Sequence, residues 1–120
     1  MRALVIDDSS TMRTILRLAL RKNGFEVVEA KNGVDALAVL ASSDPVDVMM
    51  VDWNMPEMDG LQFVSHVRGD PRYSMTKIMM VTTESGLPEM GRALEAGADE
   101  YLMKPFTPEV VSEKLHLMGL

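Results

Sequence analysis

The sequence predicts an α/β protein, a doubly wound parallel sheet of five strands carrying five helices. Three short apolar runs, Ala3 to Ile6, Val46 to Val51 and Ile78 to Val81, have the length and unbroken hydrophobicity of strands covered on both faces. Between them apolar residues return at helical spacing, so strand and helix signals alternate along the chain. Five such repeats require parallel pairing with right-handed crossovers, because each helix must carry the chain back to the edge it left.

The elements follow in order. After the first run, Ser9 or Ser10 can cap a helix marked by Met12, Ile15, Leu16 and Ala19, and Gly24 can end it. Phe25 to Glu29 is a more polar strand, and its glutamates suit a sheet edge that must not pair with a neighbour. Val34, Leu37, Ala38 and Ala41 mark the second helix, and Val46 to Val51 the third strand. Phe63, Val64 and Val67 mark the third helix, Ile78 to Val81 the fourth strand, and Leu87, Met90, Gly91 and Leu94 the fourth helix, with Pro88 in its first turn. Glu100 to Met103 is the second polar edge candidate, and Pro108 opens a last helix holding Val111, Leu115 and Met118. No long-period repeat or low-complexity tract interrupts the pattern, so residues 1–120 read as one domain.

Composition narrows the function. A chain of 120 residues with 47% hydrophobic and 25% charged residues can bury a real core. Its formal charge of −6, with no long Lys or Arg run, opposes a phosphate backbone and argues against direct nucleic-acid binding. Without cysteine there is neither a disulfide nor a thiolate metal site, which fits a reducing compartment, and the cytoplasm is the expected location. The four-residue apolar run of MRALVIDD is too short for a signal-peptide core or a membrane span. The 12 methionines include the pairs Met49–Met50 and Met79–Met80 inside strand-like runs, where flexible thioethers fill gaps.

Ligands of an open parallel sheet bind beyond the carboxyl ends of its strands, and here those ends are strongly polar. The first strand finishes in Asp7 and Asp8, the third in Asp52, the fourth in Thr82, and the fifth in Lys104 followed by Pro105. Taken alone, each has an ordinary explanation as a solvated loop charge, a helix cap or a strand-end hydroxyl. Together they place three carboxylates on one rim, where at least one would take up a proton unless a cation compensates. All-oxygen donors with no His or Cys point to magnesium, with manganese as a substitute. In such a site Asp52 is a candidate nucleophile forming an acyl phosphate, with Lys104 neutralising the transferred group. Thr82 can hydrogen-bond a phosphoryl oxygen and so report its arrival. The Lys104–Pro105 peptide is a candidate for the cis form.

The order and spacing of Asp7-Asp8, Asp52-Trp53-Asn54-Met55-Pro56, Asp59-Gly60, Thr82 and Lys104-Pro105-Phe106 resembles the receiver domains of response regulators, over the whole chain. The resemblance implies a flavodoxin-like sheet of strand order 2-1-3-4-5. It also implies magnesium bound directly by Asp8, Asp52 and the backbone carbonyl of Asn54, with Asp7 acting through water, and a histidine kinase as phosphoryl donor. The Trp after the acceptor and the WNMP stretch are most similar to single-domain chemotaxis regulators of the CheY type. For those, the likeness implies that the threonine moves toward the phosphoryl group and that an aromatic ring, matched by Tyr101, turns inward. The remodelled face, built from the fourth helix, fifth strand and fifth helix, would include Ser85, Tyr101 and Lys114 and bind a motor switch or a relay protein. Asn54 and Glu84 match positions that influence loss of the phosphoryl group.

Three further features stand beside this reading. Arg13, Arg17 and Arg21 form a basic stripe on the first helix, read as a solvated face. Met55, Pro56 and Met58 crowd the loop after Asp52, where they either shield the acyl phosphate, dock a kinase or pack the loop. As a phosphatase the chain lacks the second carboxylate two residues after the nucleophile, having Asn54 there, and as a flavin module it lacks a hydroxyl-rich phosphate loop. It therefore reads as a monomeric signalling phosphoacceptor and not as an enzyme. A phosphorelay or phosphate-sink receiver and a binding-only pseudo-receiver are the alternatives, and Trp53, Tyr101 and Lys114, with no output domain expected, favour motor or chemotaxis control.

Overall fold

The computed structural model describes residues 1–83 and 86–120. Strands β1 (Arg2–Ile6), β2 (Glu26–Ala30), β3 (Val48–Asp52), β4 (Lys77–Thr82) and β5 (Glu100–Met103) alternate with helices α1 (Ser10–Lys22), α2 (Gly33–Ser42), α3 (Gly60–Arg68), α4 (Leu87–Ala96) and α5 (Pro108–Leu117). All pairings are parallel, and the sheet runs β2-β1-β3-β4-β5. This is the doubly wound topology expected, with the two glutamate-bearing strands at the edges.

The central strands distribute their side chains to two faces with a period of two. Leu4, Ile6, Met49, Val51, Ile78 and Met80 join a core capped by α2, α3 and α4, which also holds Phe63 and Tyr101. Ala3, Val5, Val48, Met50, Met79 and Val81 join the opposite core with Leu16, Leu20, Val111 and Leu115 of α1 and α5. Met49, Met50, Met79 and Met80 are all fully buried, so the methionine pairs divide between the two cores as packing residues. No described helix is long and apolar enough to cross a membrane.

Local signals fix the helix starts. Ser9 caps α1, accepting from the Met12 amide at 3.2 Å, and Asn23 closes it just before Gly24 at φ 85°. Asp59 caps α3 in a reciprocal box with Gln62. Pro88 and Pro108 lie in the first turns of α4 and α5.

Two helices are rotated from the face their apolar spacing suggests, keeping Leu37 of α2 and Met90 of α4 packed against the core but turning other apolar residues outward. In α2 the buried residues are Gly33, Ala36 and Leu40, whereas Val34, Ala38 and Ala41 are exposed. In α4 only Ala93 is buried, and Leu87 and Leu94 face outward. Ala36 and Ala93 are fully buried on the inward faces, where small side chains fit against a densely packed sheet. Ile15 of α1 is likewise exposed.

Gly60 is the tightest joint between the sheet and the helices. Its amide donates to the Trp53 carbonyl at 2.8 Å, and an added Cβ would meet the Asp52 carbonyl and lie 2.8 Å from the Trp53 Cα. Backbone cannot yield as a flexible side chain does. Gly60→Ala is expected to destabilise the protein by roughly 2–3 kcal/mol in urea unfolding, the upper range for overpacking. Unchanged stability would mean that α3 can slide away from the end of β3.

Candidate functional site

The carboxyl ends of β1, β3, β4 and β5 meet at one rim, where an open parallel sheet places a site outside its strand ends. β3 ends on Asp52, β1 delivers Asp7 and Asp8 immediately after Ile6, and β4 ends on Thr82. Asp7, Asp8 and Asp52 each place a carboxylate oxygen within 4.8 Å of the others. Lys104, just past β5, brings its Nζ to 3.1 Å from Asp52 Oδ1 and 3.3 Å from Asp7 Oδ2. The Lys104–Pro105 peptide is cis.

These charges are only partly balanced. At an effective dielectric near 20, carboxylates this close repel by about 3–4 kcal/mol per pair, and an ammonium at hydrogen-bond distance attracts by about 5 kcal/mol. One lysine therefore offsets much of the repulsion but leaves two net negative charges. Asp52 and Asp7 are buried while Asp8 is exposed, so relief by water is uneven. Burial, with the Asp7 carboxylate next, pushes the Asp52 carboxyl up from its ordinary 3.8 to about 6, against the opposing pull of Lys104. Burial alone would lower the Lys104 ammonium, but Asp52 and Asp7 outweigh it and hold its pKa above the usual lysine value.

The donor set fits a divalent hard cation. It is all oxygen, carries excess negative charge, and opens to solvent on the Asp8 side, leaving room for water ligands. Asn54 is exposed in the loop two residues beyond Asp52. In that loop Met55 is buried and Met58 packs against the core beside Gly33, so both serve loop packing.

Behind Asp52, Trp53 is buried and meets the Tyr101 ring edge-on, with centroids 6.4 Å apart and planes at 81°. The Arg92 guanidinium of α4 lies 5.9 Å from the centre of the Trp53 ring. Tyr101 is only 4% exposed, so its ring is already inward here. Thr82 is fully buried, and Lys114 donates to Glu100 at 3.0 Å. Glu84 and Ser85 lie outside the described residues.

The arginine stripe is not simply solvated. Arg13 donates to Glu29 at 3.1 Å and to the Asp7 carbonyl at 2.7 Å, and Arg17 reaches the other Glu29 oxygen at 2.6 Å. Only Arg21 is exposed. The four-residue spacing shows that these side chains share a helix face, but it carries no sign that an edge-strand glutamate and a strand-end carbonyl would stand opposite.

With this geometry in place, the response regulator receiver domain family matches residues 3–116, and the chain belongs to that family of two-component signalling proteins. Among its relatives, a chemotaxis protein CheY homolog of Campylobacter jejuni is 49% identical over 96% of this chain and 89% of its own length. The chemotaxis protein CheY1 of Helicobacter pylori is 48% identical over 98% and 96%. The structure of the Vibrio cholerae chemotaxis response regulator CheY4 superimposes with a TM-score of 0.90 at 37% identity, covering 98% of this chain and 97% of that one.

The raised Asp52 pKa has a definite sign. In the folded chain the charged form is disfavoured, so the stability Asp52 contributes is fully present below about pH 4 and is lost as pH rises through about 6. In cation-free buffer at about pH 7.5, Asp52→Asn is expected to unfold at higher urea, with a gain of up to about 3 kcal/mol that shrinks toward zero near pH 4. Equal stability of the two proteins across that range would show that the carboxylates are not in conflict.

Proposed function

We propose that Asp52 accepts a phosphoryl group from a histidine kinase, and that this switches a protein-binding face in the control of chemotaxis or motility. The juxtaposition of a buried Asp52 with Asp7, Asp8 and the Lys104 ammonium carries the reading. Asp7, Asp8, Asp52 and the carbonyl of Asn54 would hold magnesium, with manganese as a substitute. When bound, the cation supplies positive charge that offsets the crowded carboxylates and the phosphoryl oxygens.

The chain's own part is positioning and charge. An Asp52 oxygen attacks phosphorus, a P–O bond forms, and the P–N bond to the donor histidine breaks with its electron pair left on the imidazole, which takes a proton from solvent. Lys104, already at Asp52, stays protonated because its pKa is raised, and pairs with the incoming oxygens. Thr82 at the end of β4 donates to a phosphoryl oxygen. The adjustment of Thr82 passes to Tyr101, packed against Trp53, and so to the face formed by α4, β5 and α5, where Lys114 contacts the target.

The names of the Campylobacter, Helicobacter and Vibrio relatives support chemotaxis as the setting. In this reading the chain is one receiver domain over residues 1–120, a monomer in the cytoplasm, and a signalling phosphoacceptor without an external substrate to turn over. Its partners are the kinase and a phosphorylation-dependent protein target.

Trp53, the one tryptophan, reports on the neighbouring acceptor. Magnesium is expected to change its fluorescence, and acetyl phosphate to produce a second change that Asp52→Asn lacks, with an intact-mass increase of one phosphoryl group in the parent only. A parent that shows neither donor-dependent fluorescence nor added mass would be a receiver-shaped binding module instead.

A further inference from the structure

Resting on that reading, we propose that Arg13 is a positioning residue for the divalent cation, acting through the peptide that joins Asp7 to Asp8. Every polar group of Asp7 is tied. Its amide donates to the Ala30 carbonyl at 3.1 Å, its Oδ1 accepts from the Ser9 amide at 2.9 Å, and its Oδ2 accepts from Lys104 at 3.3 Å. Its carbonyl accepts a charged hydrogen bond from Arg13 Nη1 at 2.7 Å, the shortest of the four. Asp8 is exposed, and its carboxylate makes no hydrogen bond among the described residues. The backbone that carries that carboxylate starts from the peptide Arg13 grips.

Arg13 is itself fixed. Its Nε donates to Glu29 Oε1 at 3.1 Å, and Arg17 holds the other oxygen of the same carboxylate at 2.6 Å. Arg13 and Glu29 are both partly buried, and the fork of a guanidinium serves the two acceptors, the Asp7 carbonyl and Glu29, from one plane. The turn between β1 and α1 is thus braced from α1 and from edge strand β2 at once.

Position and charge make opposite predictions here. A guanidinium near a cation site repels the cation, so a purely electrostatic role means that removing Arg13 tightens binding. A positioning role means that removal weakens it, because Asp8 must then be ordered at the expense of binding energy. Groups that orient metal ligands through hydrogen bonds typically change affinity 10- to 100-fold when removed.

The test is magnesium titration of Trp53 fluorescence in the full chain, with urea unfolding in cation-free buffer run on each variant. Arg13→Gln is expected to bind magnesium about tenfold more weakly, at the low end of that range since one peptide and not a ligand atom is released. Arg13→Lys keeps the charge but donates without the planar fork, and is expected to recover part of the loss, leaving roughly a threefold weakening. Arg17→Gln removes charge from the same glutamate without touching Asp7, and should stay within about twofold of the parent. Equal or tighter binding by Arg13→Gln, or an Arg17→Gln loss as large as that of Arg13→Gln, overturns the proposal. Should Arg13→Gln not fold, Arg13→Lys decides alone: parent-like affinity overturns the brace, and weakened affinity at unchanged charge supports it. A parent without any magnesium response instead overturns the cation reading on which the brace rests.

Discussion

The structure depends on one unfavourable arrangement, three carboxylates held on the same rim of a sheet with a single lysine among them. Asp7, Asp8 and Asp52 cannot separate, because two adjacent parallel strands deliver them in register, Ile6 beside Val51. Water cannot relieve all of them, since Asp7 and Asp52 are buried. Folding energy from the two cores keeps the charges together, and the conflict appears as an Asp52 carboxyl pushed up to about 6. The backbone thus leaves the site short of positive charge, and any cation that entered it would change the balance of the whole rim.

That change has a short path into the rest of the molecule. Trp53 follows Asp52 in sequence, stacks edge-on against Tyr101 of β5 and lies under Arg92 of α4. Gly60 pins the start of α3 to the same Asp52–Trp53 backbone. Movement at Asp52 thus meets packed rings and backbone, which shift between discrete arrangements more readily than they deform. Coupling of only about 1–3 kcal/mol is enough to alter partner affinity several-fold to a hundred-fold. The outward-facing Leu87 and Leu94 of α4 place apolar surface on the helix that this path reaches.

Much of this was legible in the residues themselves. The alternation of buried runs and helical spacing leads to the parallel sheet, and the polar residues at the strand ends lead to the rim, because a parallel sheet leaves those ends nowhere else to go. Glu26 and Glu29 mark an edge strand correctly for the same reason. The inward faces of α2 and α4 were not legible. Ala36 and Ala93 are fully buried while Val34 and Leu87 are exposed, and apolar spacing ranks the larger residues as the stronger inward signal. The brace on Asp7 was hidden for a different reason. Helical spacing gathers Arg13 and Arg17, but Glu29 joins them only through tertiary pairing of β2 with β1.

The most direct test of the conflict at the rim is calorimetry of magnesium binding in buffers of different ionisation enthalpy, which counts the protons released. If burial and Asp7 hold the Asp52 pKa near 6, binding at about pH 6 expels roughly half a proton from the parent, nearly none at about pH 8, and far less from Asp52→Asn at either pH. Magnesium binding at about pH 6 with no proton release from the parent would contradict the account, because the three carboxylates would then already be ionised side by side without the cation.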